Sequence, residues 1–195
     1  MVDRALESYL VDYDDVSLEN WYVVRDIFSS DEIDALLHQS KQLNPKEATT
    51  IGDADDYRKS TIKWIPKFKS DEYGWIYKRL LHWVDIANEE NWKFDIIGCK
   101  DDTQYTEYEM GGKYDWHMDI LGESINHRKI SLSVNLNSDF TGGKFQFKFG
   151  RGITDIFLEK GDAVIFPSFF MHRVTPVTNG VRKSLVQWIS GKPFK

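Results

Sequence analysis

The second half of the chain constrains the fold most. From Trp92 onward, short runs rich in β-branched and aromatic residues follow one another, each cut off by a turn signal. Trp92 to Ile97, Thr103 to Tyr108, Tyr114 to Asp119, Lys129 to Leu136, Lys144 to Phe149, Ile153 to Phe157, Ala163 to Phe166, His172 to Val177 and Arg182 to Ile189 all carry strand patterning. Gly111-Gly112, Thr141-Gly142-Gly143, Gly150 to Gly152, Lys160-Gly161-Asp162 and Asn179-Gly180 separate them. Many short strands at regular spacing imply a sandwich or a barrel, because only such closures bury one face of every strand.

The first half is patterned differently. Met1 to Asn20 is acidic and weakly patterned, and reads as an arm or a short edge element. Trp21 to Ile27 reads as a strand. Ser29 with Glu32 three residues on forms a capping box, and Ile33, Leu36 and Leu37 supply the apolar stripe of a helix over Asp31 to Gln42. A second helix is expected from about Asp71 to Asn88, with Ile76, Leu80, Val84 and Ala87 at helical spacing. His38 and His82 fall on these helices and read as surface or packing residues. Between them, Leu43 to Ser60 loses periodicity and holds Asn44-Pro45, Gly52 and an acidic run, so it is a candidate substrate-covering lid or a plain surface insertion. Thr61 to Ile65 alternates like a strand. No repeat or second boundary is visible. The expectation is one domain over 1–195, with supporting helices in about 21–91 and a β core in about 92–191.

Composition excludes several classes of function. Hydrophobic residues make up 41% and charged residues 29%, which suits a globular domain. The formal net charge is −6, and beyond scattered lysines between Arg58 and Lys69 there is no basic run, so nucleic acid is not the expected partner. No stretch approaches the length of a membrane span. A single cysteine, Cys99, excludes an intramolecular disulfide, and the first ten residues lack an export-signal pattern. A reducing, cytoplasmic setting is the expectation.

The chemistry centres on Tyr114-Asp115-Trp116-His117-Met118-Asp119. On a strand, residues two apart share a face, so His117 and Asp119 project together while Trp116 and Met118 point the other way. That pair supplies two of the three ligands of a 2-His-1-carboxylate triad, the set used for non-haem Fe(II). Alone, such a pair is more often an ordinary hydrogen-bonded one. His172, at the start of a late strand, can complete the set, since strands distant in sequence lie face to face in a jelly roll. Arg182 follows ten residues later, with Ser184 on the same strand face. A guanidinium fork there suits the distal carboxylate of a dicarboxylate ligand.

The order H-x-D, distant His, then Arg resembles the Fe(II)- and 2-oxoglutarate-dependent dioxygenases. The flanking Tyr108-Glu109-Met110-Gly111-Gly112, Thr141-Gly142-Gly143-Lys144-Phe145, Gly161-Asp162-Ala163-Val164-Ile165-Phe166-Pro167 and His172-Arg173-Val174-Thr175-Pro176-Val177 are similar to the prolyl-4-hydroxylase-like branch. The resemblance spans about Gln104 to Gly191. It implies a double-stranded β-helix (a cupin-like jelly roll) with two supporting N-terminal helices. It implies His117, Asp119 and His172 as iron ligands, and Arg182 as the partner of the C5 carboxylate of 2-oxoglutarate. Ser184, Tyr108 and Asn135 are implied near that co-substrate. O₂ is the other co-substrate, and ascorbate is a candidate reductant. The implied reaction is hydroxylation of a C–H bond, with a prolyl residue in a peptide or protein as the family-weighted substrate and a lysyl residue, free amino acid or other small molecule as alternatives. Retention of Asp119 argues against halogenation. Two readings from other classes stand beside it: a cupin-type metalloenzyme without 2-oxoglutarate, and an inactive barrel used as a binding module.

Overall fold

A computed structural model describes residues 20–48, 57–120 and 127–192. The expected N-terminal arm, the centre of the expected lid and residues 121–126 lie outside these. Its helices and strands form two facing sheets with helices on the outside of the larger one. In chain order the elements are β1 (Tyr22–Val24), α1 (Ser30–Ser40), β2 (Lys46–Glu47), β3 (Arg58–Lys59), β4 (Thr61–Ile65), α2 (Ser70–Ala87), β5 (Ile96–Gly98), β6 (Thr103–Tyr108) and β7 (Lys113–His117). Then follow β8 (Arg128–Asn135), β9 (Phe140–Gly142), β10 (Phe145–Phe149), β11 (Gly152–Ile156), β12 (Ala163–Pro167), β13 (His172–Val174), β14 (Val177–Gly180) and β15 (Arg182–Gly191).

The major sheet runs β1-β12-β8-β15-β6-β4-β2, with β5 also paired to β15. The minor sheet runs β11-β10-β13-β7-β3, and β14 pairs with β9 beside them. Every pairing is antiparallel and most neighbours are distant in sequence, the topology of a double-stranded β-helix.

The period of two along β8 and β15 explains how one sheet serves both a core and a cavity. On β8, Ile130, Leu132 and Val134 are fully buried and pack with Ile33, Leu36, Ile76, Leu80 and Val84 of the helices. Ser131, Ser133 and Asn135 alternate with them and face the barrel interior. On β15, Leu185 and Ile189 join the helical core, while Arg182, Ser184, Val186 and Trp188 line the interior cavity. Large apolar residues therefore sit on the helix face and small polar ones on part of the inner face, which leaves space between the sheets. A second apolar cluster, including Tyr108, Phe147, Phe166 and Val177, closes the rest of that space.

The capping box forms as expected: Ser29 Oγ accepts from Glu32 N–H at 3.2 Å, and Glu32 accepts from Ser29 N–H at 2.9 Å. The same Glu32 pairs with Arg79 at 2.7 Å, which ties α1 to α2. His38 and His82 are exposed.

Three expectations needed correction. The strand predicted over Trp92 to Ile97 shrinks to Ile96–Gly98, because α2 runs into a π-turn over Asn88–Trp92. The Asn88 side chain fixes that turn by bonding both N–H and C=O of Phe94, at 2.9 and 3.0 Å, and Lys93 takes a left-handed φ of 52°. The strand predicted over His172 to Val177 is two strands, broken at Thr175-Pro176. Pro176 has no N–H to donate, and Val177 turns instead to exchange backbone bonds with Gly111 and Gly112 at 2.8 and 2.9 Å. Finally, Leu43 to Ser60 is not wholly loop: Lys46–Glu47 pairs with β4 and Arg58–Lys59 with β7.

Candidate metal centre

β7 and β13 pair with His117 directly opposite His172, so the two imidazoles meet with ring centroids 4.1 Å apart. Asp119 does not lie on the strand. β7 ends at His117, and Asp119 is held two residues beyond by its own N–H, which donates to Ser168 C=O at 2.8 Å. This corrects the same-face argument: the turn, rather than the pleat, delivers the carboxylate. It also brings Met118 to the cavity wall, although alternation predicted the opposite face. Asp119 carboxylate oxygens stand 3.7 Å from His117 Nε2 and 3.6 Å from His172 Nε2. The donor atoms of all three residues fall within 4.8 Å of one another, and all three residues are buried.

The two histidines are held alike. His117 Nδ1 lies 2.7 Å from Asp115 C=O, and His172 Nδ1 lies 2.8 Å from Phe170 C=O. A carbonyl only accepts, so Nδ1 carries the proton and Nε2 turns its lone pair inward. Tyr114 stacks on the His117 ring at 3.5 Å, and Phe166 packs edge-on against His172 at 4.8 Å. Burial first, and then the neighbouring His172, push the His117 pKa down to about 3, which keeps the imidazole neutral. Burial opposes charge on Asp119, yet its carboxyl lies below the ordinary range, and the Ser131 hydroxyl, which donates to Oδ2 at 2.7 Å, favours the carboxylate. Two neutral nitrogens and one carboxylate oxygen, converging from one side, are a donor set that could hold a divalent first-row metal.

The centre opens into a cavity of about 430 Å³ whose walls include Trp64, Phe145, Val186 and Trp188. Arg182 lines it too. Arg182 is only 3% exposed, donates to Ser184 Oγ at 3.2 Å and lies 5.5 Å from the Tyr108 ring centre. Burial lowers its pKa, and among the described residues no carboxylate pairs with it. A buried guanidinium without a counter-ion is costly and attracts an anion. Arg173, the neighbour of His172, points outward, where it donates to Gln146 at 2.7 Å and stacks on Trp116 at 4.4 Å.

Of the seven residues singled out from sequence, His117, Asp119, His172, Arg182, Ser184 and Tyr108 line this one cavity. Asn135 does not. It sits opposite Ser184 in register, but its Nδ2 donates to the carbonyls of Asn137 and Leu158 at 2.9 and 3.1 Å, and it lines a smaller cavity on the far side of Arg182. Tyr114 is on the cavity wall as well. Ser131 and Ser168, whose hydroxyls meet at 2.9 Å beneath Asp119, were missed. The I-S-L-S-V-N alternation of β8 marked Ser131 as inward-facing but could not show what it met.

Residues 103–190 match the model of the 2OG-Fe(II) oxygenase superfamily. A PKHD-type hydroxylase of Synechococcus sp. strain CC9902 is 35% identical over 83 residues, and one of Idiomarina loihiensis is 34% identical over 84. Each match covers 42% of this chain but only 37% and 38% of those relatives, so the similarity spans less than half of their length. Among solved structures, a Pseudomonas putida prolyl-4-hydroxylase superimposes with a TM-score of 0.70 at 21% identity, covering 92% of this chain and 96% of that one. The viral collagen prolyl hydroxylase of Paramecium Bursaria Chlorella virus-1, solved as a 2OG complex, gives 0.68 at 19% identity, covering 89% and 97%. Residues 103–190 are therefore similar to the 2OG-Fe(II) oxygenase superfamily, and the fold of the chain is that of the solved prolyl-4-hydroxylase structures.

Proposed function

We propose that this protein is an Fe(II)- and 2-oxoglutarate-dependent dioxygenase that hydroxylates a prolyl residue in a peptide or protein. One observation carries the reading: His117, Asp119 and His172 converge in the same cavity as Arg182, a buried cation without a carboxylate partner among the described residues. A metal ligand set alone would fit many enzymes. A ligand set facing an uncompensated guanidinium fits a co-substrate with carboxylates at both ends. With iron bound, 2-oxoglutarate and O₂ supply the oxidation: one oxygen atom enters the substrate C–H bond, and 2-oxoglutarate leaves as succinate and CO₂.

In this reading the chain's own groups place and shield. His117, Asp119 and His172 are the three protein ligands, and Arg182 takes the C5 carboxylate. Ser184 and Tyr108 hold the Arg182 side chain in register, and Asn135 supports the wall behind it. The apolar walls exclude water from the reacting centre. We take the described residues as one domain, since α1 and α2 share a core with the major sheet. Among the described residues no helix is long and apolar enough to cross a membrane. A reducing cytoplasmic setting and ascorbate as reductant belong to the same reading. A cupin-type enzyme without 2-oxoglutarate leaves Arg182 unexplained, and an inactive barrel leaves the ligand set unexplained. The test is succinate formation from 2-oxoglutarate with proline-containing peptides, with and without Fe(II). Turnover that does not need Fe(II), or none with any peptide, would refute the proposal.

Two neighbouring positions carry their own predictions. Ser131→Ala removes the hydroxyl that orients Asp119 and should lower Fe(II) affinity by about 10–100-fold, the scale for an outer-shell partner of a metal ligand. Metal titration followed by tyrosine and tryptophan fluorescence reads this, and unchanged affinity would remove Ser131 from the site. Gly143 has φ +54°, and a Cβ there would sit 2.9 Å from Arg182 Cδ and 3.1 Å from Val177 Cγ2. Gly143→Ala should cost about 1–2 kcal/mol of stability for the left-handed conformation. It should also weaken 2-oxoglutarate roughly tenfold by displacing the guanidinium, about the 1.4 kcal/mol that one order of magnitude represents. Chemical denaturation and a co-substrate titration read the two effects separately.

A further inference from the structure

The charges around the cavity do not cancel, and the residue left over is Arg58. Although the chain carries a net charge of −6, among the described residues the charged ones lining the metal-side cavity are Lys46, Arg58, Arg128 and Arg182, with Asp119 as the carboxylate. Arg128 is already committed: it pairs with Asp101 at 3.0 Å through both Nε and Nη2, and lies over the Trp188 ring at 3.9 Å. On the functional reading above, on which this inference rests, Arg182 is matched by the co-substrate, and Asp119 with the second co-substrate carboxylate balances a divalent metal. Lys46 is exposed and solvated. Arg58 is partly buried, and among the described residues no carboxylate pairs with it.

Arg58 is also held in place. Its Nε donates to Ser60 Oγ at 3.0 Å, and its guanidinium lies 4.4 Å above the Tyr114 ring, which stacks in turn on His117. The guanidinium is therefore one aromatic ring away from a candidate metal ligand, with its Nη groups not used in those contacts. A fixed, partly desolvated fork of this kind suits a carboxylate better than a neutral amide. Arg58 further lines a second cavity of about 320 Å³, whose walls carry both signs in Lys59, Glu107 and Glu109. Arg58 thus lines both cavities, on β3, an edge strand of the minor sheet. A small free ligand has no use for the second cavity; an extended chain passing out of the first one does.

We infer that the substrate is a polypeptide segment with an acidic residue beside the reacting one, and that Arg58 binds that residue's carboxylate. The side chain of Arg58 then selects sequence, whereas the metal centre acts on whatever residue is presented. Removing one partner of such a half-buried pair is expected to weaken binding by about tenfold.

The test is binding of short, fluorescein-labelled, proline-centred peptides with Glu, Gln or Lys at each flanking position. Fluorescence anisotropy is read on the Fe(II)-loaded full chain with 2-oxoglutarate and without O₂. Wild-type protein should prefer Glu over Gln by about tenfold at one flanking position at least. Arg58→Ala should lose that preference, and Arg58→Glu should favour the Lys peptide, which a misfolded variant could not do. Equal binding of Glu and Gln peptides, no binding of any, or a preference that survives Arg58→Ala would overturn the inference. So would free N-acetylglutamate competing as strongly as the peptide, which would make the ligand a small molecule. Succinate release with the same peptides under O₂ is scored separately. Glu preference without succinate would defeat the hydroxylase reading and leave Arg58 its role, and succinate without Glu preference would do the reverse.

Discussion

Replacing His172 with alanine is expected to abolish succinate formation and to weaken Fe(II) binding by more than about a hundredfold, beyond the 10–100-fold typical of losing an outer-shell partner. The reason is geometric. Three protein donors converge, and His172 Nε2 is fixed toward the other two because its Nδ1 proton is spent on Phe170 C=O. No described side chain near it offers a replacement: its ring neighbours are Phe145, Phe147, Phe166 and His117, and His117 is already one of the three converging donors. His117→Ala should behave the same way, because its Nδ1 is tied to Asp115 C=O in the same fashion. The measurement is anaerobic Fe(II) titration alongside a succinate assay, with circular dichroism to show that the barrel persists. Near wild-type turnover in either variant would remove the triad.

Arg182→Ala is expected to raise the apparent KM for 2-oxoglutarate by about one to three orders of magnitude, the scale of breaking a buried charge pair, while Fe(II) binding stays largely intact. Arg182 is buried at 3% exposure with Ser184 and Tyr108 as its contacts, so the energy of an incoming carboxylate falls on this one group. Lysine would not replace it, since a point charge cannot engage two oxygens as the planar fork does. Arg173→Ala is the control. Arg173 is engaged with Gln146 and Trp116 on the outer face, and its loss should leave the co-substrate KM within about twofold, well under the 1.4 kcal/mol of one order of magnitude. A large effect from Arg173→Ala and none from Arg182→Ala would reverse the assignment.

The parts of this site that follow a local rule were legible in the sequence. The capping box at Ser29 and Glu32, the apolar stripe of α2 and the turn at Gly111-Gly112 each depend on a few neighbouring residues. The alternation on β15 likewise put Arg182 and Ser184 on one face, where the structure has them. What could not be read was set by partners far along the chain. That His117 faces His172 is a matter of β7–β13 register, and no local pattern encodes it. That β7 stops at His117 depends on Ser168 receiving the Asp119 N–H. Asn135 was placed near the co-substrate by the resemblance alone, and the sequence could not show that its Nδ2 donates to the carbonyls of Asn137 and Leu158. Trp92 to Ile97 had strand composition, and the side chain of Asn88 bent it into a turn instead. Arg58 sat in a stretch with no periodicity at all; only its place over Tyr114 marks it as part of the cavity.

The central claim is that the three-residue centre and Arg182 serve one ligand in one cavity. Anaerobic calorimetric titration of 2-oxoglutarate into the wild-type protein, with and without Fe(II), tests it most directly. If a single co-substrate bridges the metal and Arg182, binding is one to one and tightens with Fe(II) present, and by linkage 2-oxoglutarate tightens Fe(II) by the same factor. An affinity for 2-oxoglutarate that does not change when Fe(II) is added would contradict the account.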